Sequence, residues 1–190
     1  MKEKFSEEVR TMKVFVTVGT TKFDKLLKRL LDSDIQKALK AKGYTELTIQ
    51  YGNSDFVDPR TELESEELKV VDSFHFKPSL EQYILEADLV IGHAGAGTCL
   101  EVLNAWKPLI VVINEDLMNN HQHELAEKLA QAGYLRFCKL DTLKKLIELF
   151  DPASVVPYQP GDPKVFANYL DKTLSLEGKL PTQDQNAELL

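Results

Sequence analysis

Ile91-Gly92-His93-Ala94-Gly95-Ala96-Gly97-Thr98-Cys99-Leu100-Glu101, reached directly from the apolar run Leu89-Val90-Ile91, decides how the rest of the chain is read. A short apolar run followed by small residues reads as a buried strand emptying into a tight loop, and residues 98–105 read as the helix that the loop opens. Glycines let the backbone approach a ligand closely, and a helix N-terminus presents unpaired N–H groups with a partial positive charge. Strand, glycine loop and helix together form a diphosphate site. His93 can add a hydrogen bond at the mouth of the loop. Glu101, one helical turn beyond Gly97, can accept from ribose hydroxyls. On the residues alone, His93 as a structural histidine and Glu101 as a solvated helix residue remain open alternatives.

Outward from this stretch, strand patterns at 13–18, 47–51, 69–74, 89–91, 108–113 and 135–138 alternate with helical patterns at 23–42, 78–86, 98–105, 120–132 and 142–150. Gly43 and Gly133 stand where two of the helices must stop. Residues 53–67 are polar and acidic and read as a loop. The alternation predicts an α/β fold: one Rossmann-like, doubly wound domain with a mainly parallel sheet covered on both faces. Such sheets bind ligands at the carboxyl ends of their strands. Three loops leave those ends, namely Gly19-Thr20-Thr21, His93 to Thr98 and Asn114 to Gln122, and we expect them to converge on one site. The organisation along the chain is then an N-terminal extension over 1–12, the Rossmann-like domain over 13–150, a proline-rich segment with a C-terminal helix over 151–176, and a disordered tail over 177–190. Phe166, Tyr169, Leu170, Thr173 and Leu174 lie at helical spacing and make 165–174 either a closing helix or a contact for a partner.

The chain has 190 residues, 43% of them hydrophobic, and a formal net charge of -7. This suits one cored domain and argues against a general nucleic-acid surface, while leaving room for local phosphate binding by backbone dipoles. Cys99 and Cys138 form no metal or disulfide pattern and read as buried free thiols. No run reaches the ~18–20 apolar residues that span a bilayer, and residues 1–12 lack the apolar core of a secretion signal. The reading is a cytoplasmic chain with no membrane insertion of its own.

The remaining motifs are weaker. Val16-Thr17-Val18-Gly19-Thr20-Thr21 is either a second phosphate clamp, using backbone N–H groups and the Thr20 hydroxyl, or an ordinary strand-to-helix turn with a threonine cap. It is no Walker loop, since no Gly-Lys-Ser/Thr follows. A dinucleotide fold wants its glycines after the first strand and an acid at the end of the second. Here the second strand ends Gln50-Tyr51-Gly52, so NAD is disfavoured. Asn119, Asn120, His121 and Gln122 carry amide and imidazole groups suited to sugar hydroxyls, or else cap a helix and lie at the surface. His121 and His123 are two residues apart and diverge on a helix, so no metal site is expected. Asp32-Ser33-Asp34 reads as a polar break with a capping acid, and Lys25, Lys28 and Arg29 as a solvated helix face.

Taken in order, Phe15 to Thr21, Ala87 to Thr98, Lys107 to Val112 and Met118 to Gln122 resemble the donor-binding half of the GT-B glycosyltransferases, of the family 28 C-terminal-domain type. Within them the likeness is to the lipid-linked N-acetylglucosaminyltransferases. The resemblance implies a UDP-N-acetylglucosamine donor, with Gly19 and Thr20 in the first diphosphate loop and Ala94, Gly95, Ala96, Gly97 and Thr98 in the second. It implies that His93 approaches the leaving diphosphate, Glu101 holds the ribose, and Asn119 to Gln122 face the sugar. His121 departs from the glutamine pair of bacterial relatives, and Asn119 stands where an aspartate is common. The implied reaction is inverting transfer of N-acetylglucosamine to N-acetylglucosaminyl-diphosphodolichol, the second sugar of the N-glycan lipid-linked precursor, with no metal and no cofactor. A complete GT-B enzyme also has an N-terminal acceptor-binding half. The resemblance therefore implies a membrane-anchored partner that supplies it and recruits this chain to the cytosolic face of the endoplasmic reticulum. A non-catalytic UDP-sugar-binding module, or an epimerase or hydrolase of the same fold, are the competing readings.

Overall fold

The computed structural model describes residues 10–55, 68–116 and 120–161, with the side chains of Asn120 and His121 left aside. Asn119, the helix expected at 165–174 and the tail over 177–190 lie outside the described residues, as do most of the N-terminal extension and most of the acidic loop. The chain divides into a unit over residues 1–158 and a second over 159–190. Everything below concerns the first.

Six strands, β1 (Met12–Thr17), β2 (Tyr44–Gln50), β3 (Lys69–Phe74), β4 (Leu89–His93), β5 (Leu109–Val112) and β6 (Arg136–Cys138), form one sheet in the order β3-β2-β1-β4-β5-β6. Every pairing is parallel. This is the doubly wound order of dinucleotide-binding domains, and its topological switch point lies between β1 and β4, where Thr17 pairs with Gly92.

The strand sequences explain the two-sided burial. Val14, Val16, Leu47, Ile49, Leu89, Ile91, Ile110 and Val112 face one core, shared with α1 (Asp24–Leu31), α2 (Ser33–Ala41) and α6 (Leu143–Leu149). Phe15, Val90, Leu109 and Val111 face the other, shared with α3 (Glu81–Glu86), α4 (Ala96–Asn104) and α5 (Asn120–Gln131). Side chains alternate across a strand, so a continuous apolar run is what a sheet covered on both faces requires. Cys99 and Cys138 are buried free thiols in these cores, and burial pushes their pKa values up to about 11 and about 12.

Several elements differ from expectation: β2 begins at Tyr44 rather than Leu47, and the helix expected at 78–86 starts only at Glu81, residues 78–80 lying before it. The helical pattern at 23–42 is two helices, because Asp32 takes an extended conformation (φ -64°, ψ 135°) between α1 and α2. Its carbonyl accepts from the N–H groups of Ile35 and Gln36 and so starts the second helix. Arg29, at the end of α1, bonds Asp32 at 3.0 Å and Asp34 at 2.5 and 2.8 Å, which ties the break together. The helix after the glycine loop begins at Ala96 rather than Thr98, and β4 runs on to His93. Among the described residues no helix is long and apolar enough to cross a membrane.

The Arg29 hydrogen bonds hold the Asp34 carboxyl down at about 2, below the 3.8 of an ordinary aspartate. A carboxyl depressed in the folded state contributes stability that is present above its unfolded pKa and is lost as pH falls through the folded one. NMR titration should therefore place Asp34 near 2 in the native protein and nearer the ordinary aspartate range in Arg29→Gln. An Asp34 value that does not move in the variant would remove Arg29 as the cause.

Candidate functional site

The switch point is built around one side chain. His93 ends β4 and is only 5% exposed. It runs between two glycines, one from each flanking loop. A Cβ placed on Gly19 would lie 2.7 Å from its Cε1, and one on Gly95 would lie 2.3 Å from its Nε2. Neither position can carry a side chain while the ring stays where it is. Gly19 also has φ +59°, a backbone conformation that favours glycine. The glycine requirement is thus partly internal: the loops are bare so that an imidazole can fit beneath them. The sequence places His93 at the mouth of the loop, whereas the structure sets it in the strand, under the loop.

Burial lowers the pKa of His93 against an opposing influence from the Thr17 carbonyl, so the ring is neutral at pH 7. Its Nδ1 is buried and makes no hydrogen bond to the protein, while the Nε2–Cε1 edge faces the two glycines. A neutral imidazole can donate from one nitrogen to a ligand oxygen while adding no charge to the site.

Directly above, Gly95 is the N-cap of α4 in extended conformation, and its carbonyl accepts from Cys99 N–H. The N–H groups of Ala96, Gly97 and Thr98 form the first turn, where an α-helix has no internal acceptors, so they are left to face a ligand. Nothing lies within 4 Å of a Cβ built on Gly97, which therefore opens onto free space.

The β1 loop behaves differently from its sequence reading. The Gly19 N–H donates to Gln50 Oε1 at 2.9 Å and to Thr17 Oγ1 at 3.3 Å, so it is engaged within the protein. The turn hydroxyl belongs to Thr21, which donates to the Val18 carbonyl at 2.8 Å. Thr20 is exposed, and its carbonyl accepts from Asn53 Nδ2 at 2.8 Å. The loop after β5 is tied to the same end of the sheet through buried Asn114, which donates to the Lys22 carbonyl at 3.2 Å, and through the Lys25–Asp116 pair at 2.7 Å. In α5, Gln122 is half-buried and the His123 ring packs edge-on against Phe137.

Glu101 lies apart from His93, one turn further along α4. It lines a cavity of about 670 Å³ between α3 and α4, together with Lys77, Pro78, Leu80, Ile84 and Asn104. The cavity wall over 77–81 follows the carboxyl end of β3 after His75 and Phe76, and Lys77 is held there over the rings of Phe74 and Tyr83, at 4.2 and 4.4 Å from their centroids. Sequence reasoning missed this wall, and it missed Gln50. The signal for Gln50 was present: a polar residue at the last position of a central strand must be satisfied by something. Among the described residues no cluster of histidine, cysteine and carboxylate side chains could hold a metal ion.

Sheet order, switch point and helix N-terminus together define a Rossmann-type α/β domain whose candidate site lies at the crossing of β1 and β4. The chain belongs to the glycosyltransferase family 28 C-terminal domain family, whose model matches residues 13–162. It is 42% identical over 171 residues to the UDP-N-acetylglucosamine transferase subunit ALG13 of Mus musculus, an alignment that covers 90% of this chain and 14% of the mouse protein. The chain thus spans about a seventh of that relative. Among solved structures, the NMR solution structure of ALG13 matches with a TM-score of 0.62 and 26% identity, covering 88% of this chain and 98% of that one. A crystal structure of Acinetobacter baumannii MurG shares the fold with a TM-score of 0.56 and 20% identity, over 87% of this chain and 43% of the MurG chain.

The two loop glycines should part company on substitution. Gly95→Ala must displace the His93 ring and should cost on the order of 1–3 kcal/mol in urea unfolding. Gly97→Ala, facing open space within a helix, should be neutral or gain up to about 1 kcal/mol. Equal stabilities for the two variants would contradict the packing described here.

Proposed function

We propose that this chain is the donor-binding, catalytic subunit of a split glycosyltransferase, transferring N-acetylglucosamine from UDP-N-acetylglucosamine to N-acetylglucosaminyl-diphosphodolichol. The observation that carries the reading is the neutral His93 imidazole set between Gly19 and Gly95 beneath the free N–H groups of α4. That arrangement offers hydrogen-bond donors and a helix dipole to an anion and brings no counter-charge of its own. Family membership and the ALG13 likeness supply the sugar nucleotide.

The acceptor's 4-hydroxyl attacks the anomeric carbon from the face opposite the diphosphate, the bond from that carbon to the phosphate oxygen breaks, and UDP leaves with inversion. The hydroxyl proton passes to a base on the acceptor-binding half. Negative charge grows on the leaving diphosphate. The N–H groups of Ala96, Gly97 and Thr98 and the His93 ring meet it in fixed positions, and losing one such donor typically costs on the order of 3–4 kcal/mol of barrier. Gly19 serves by having no side chain, and Thr20 by an exposed hydroxyl at the loop tip. Glu101 accepts from the ribose hydroxyls in the α3–α4 cavity, and Asn119 to Gln122 face the sugar. The donor set consists of backbone and imidazole groups, so the reading requires no metal or cofactor. A membrane-anchored partner supplies the acceptor half and brings the chain to the cytosolic face of the endoplasmic reticulum.

Two measurements test this. Labelled N-acetylglucosamine should reach a lipid-linked acceptor when the chain is combined with membranes containing the acceptor-binding partner, and not with the chain alone. Binding of UDP-N-acetylglucosamine without transfer in either condition would favour a non-catalytic binding module. Glu101→Ala should weaken UDP-N-acetylglucosamine binding roughly tenfold or more, the worth of a charged hydrogen bond, in a domain that stays folded. Unchanged affinity would take Glu101 out of the ribose role.

A further inference from the structure

Gln50 is the last residue of β2, at the strand end where a dinucleotide-binding domain would carry its ribose-binding acid. Its side chain turns inward instead and is 1% exposed. The amide uses its full capacity. Oε1 accepts from Thr17 Oγ1 at 2.6 Å and from Gly19 N–H at 2.9 Å, and Nε2 donates to the Gly19 carbonyl at 2.8 Å and to the His75 carbonyl at 2.7 Å. Three of these partners are backbone groups with a fixed sense, one N–H and two carbonyls, so the orientation of the amide is determined. A single buried side chain therefore holds both polar groups of the Gly19 residue and the His75 carbonyl, two residues before the α3–α4 cavity wall begins at Lys77.

Neighbouring contacts lock the same corner. A Cβ on Gly52 would lie 2.4 Å from the Gly19 carbonyl oxygen and 2.9 Å from that of Thr21, so Gly52 must be bare for the two loops to touch. The His75 ring meets the Gly52 carbonyl through Nδ1 at 2.8 Å and packs on Tyr51 at 4.4 Å between centroids. The Gly19 residue, held in this way, is the surface on which the His93 ring rests.

We propose that Gln50 is the positioning residue of the donor site, fixing the diphosphate end through Gly19 and His93 and the nucleoside end through His75, from which the chain runs into the cavity wall at Lys77. This rests on the reading of the site as one for a UDP-sugar. Gln50 touches no substrate. It sets the spacing between the groups that would touch the diphosphate and those that would touch the nucleoside, so that one rigid ligand meets both.

The substitutions separate the two halves of the amide. Gln50→Glu keeps an acceptor for Gly19 N–H but turns an oxygen toward two carbonyls. Gln50→Met keeps the length and loses all four bonds. Ile35→Val, a trimmed core residue on α2, serves as a control for general loss of stability. The full chain is titrated with UDP while the His93 ring and the Gly19 amide are followed by NMR. The expected result is that both Gln50 variants raise the Kd for UDP at least tenfold and shift the His93 ring signals, while Ile35→Val leaves the Kd within twofold and the ring unmoved. Folded Gln50 variants that bind UDP like the parent, or a control that loses affinity equally, would overturn the inference. Should both Gln50 variants fail to fold, Thr17→Val removes one bond to Oε1 and should raise the Kd several-fold with a shifted Gly19 amide; an unchanged Kd there overturns the inference too. If the unmodified chain binds neither UDP nor UDP-N-acetylglucosamine, the functional reading itself falls and takes this inference with it, an outcome visible before any variant is made.

Discussion

The imidazole of His93 fills the space that side chains on Gly19 and Gly95 would need, and most of the site follows from that packing. A ring at the end of β4 can be covered only by loops that carry no Cβ at the points of contact. Those loops are the ones that leave the switch point of the sheet. Bare backbone over a neutral donor, with a helix N-terminus directly above, is a surface that suits an anion. The ring remains neutral because it is buried, and it is buried because the glycines let the loops close over it.

The sheet supplies the frame for that packing. Helices cover both faces of the central strands, and the polar groups of the candidate site lie at the strand ends. At the carboxyl end the polar residues are tied to one another: Thr17 to Gln50, Gln50 to Gly19 and His75, and Asn114 to the segment after β1. In the proposed reading, a site holding diphosphate and nucleoside at once gains from such fixed spacing, because the polar groups are ordered in advance. In the proposed reaction the chain contributes the donor half of the geometry, and the acceptor half comes from a partner, a division consistent with the subunit naming of its ALG13 relatives.

Much of the fold was legible in the residues. The apolar runs at Leu89-Val90-Ile91 and Leu109 to Val112 can only be strands buried on both faces, and their alternation with helical patterns leads to a parallel, doubly wound sheet. The limits of Lys69–Phe74 were read correctly because its ends are marked by polar clusters. Boundaries failed where tertiary contacts override local preference. Gly97 disfavours helix by propensity, and the run of small residues reads as loop, yet the helix starts at Ala96 because Gly95 in extended conformation caps it and accepts from Cys99 N–H. Asp32 breaks a continuous apolar stripe because its carbonyl and its Arg29 contacts offer the backbone another arrangement, and periodicity does not report that. At the site, His93 and the glycines were visible as a motif, but whether the ring lies beside the loop or beneath it depends on β1, far away in sequence. Gln50 was read only as the absence of an acid. Its four partners come from the ends of β1 and β3, the strands on either side of its own, which no local pattern brings together.

The claim that the β1–β4 crossing is the anion site is tested most directly by backbone amide NMR of the full chain during titration with UDP. The account predicts that the amides of Ala96, Gly97 and Thr98 move furthest, as N–H groups that gain an acceptor, that the His93 ring responds with them, and that Trp106, at the other end of α4, stays in place. Saturable UDP binding that leaves the 96–98 amides unmoved while shifting signals elsewhere would contradict it.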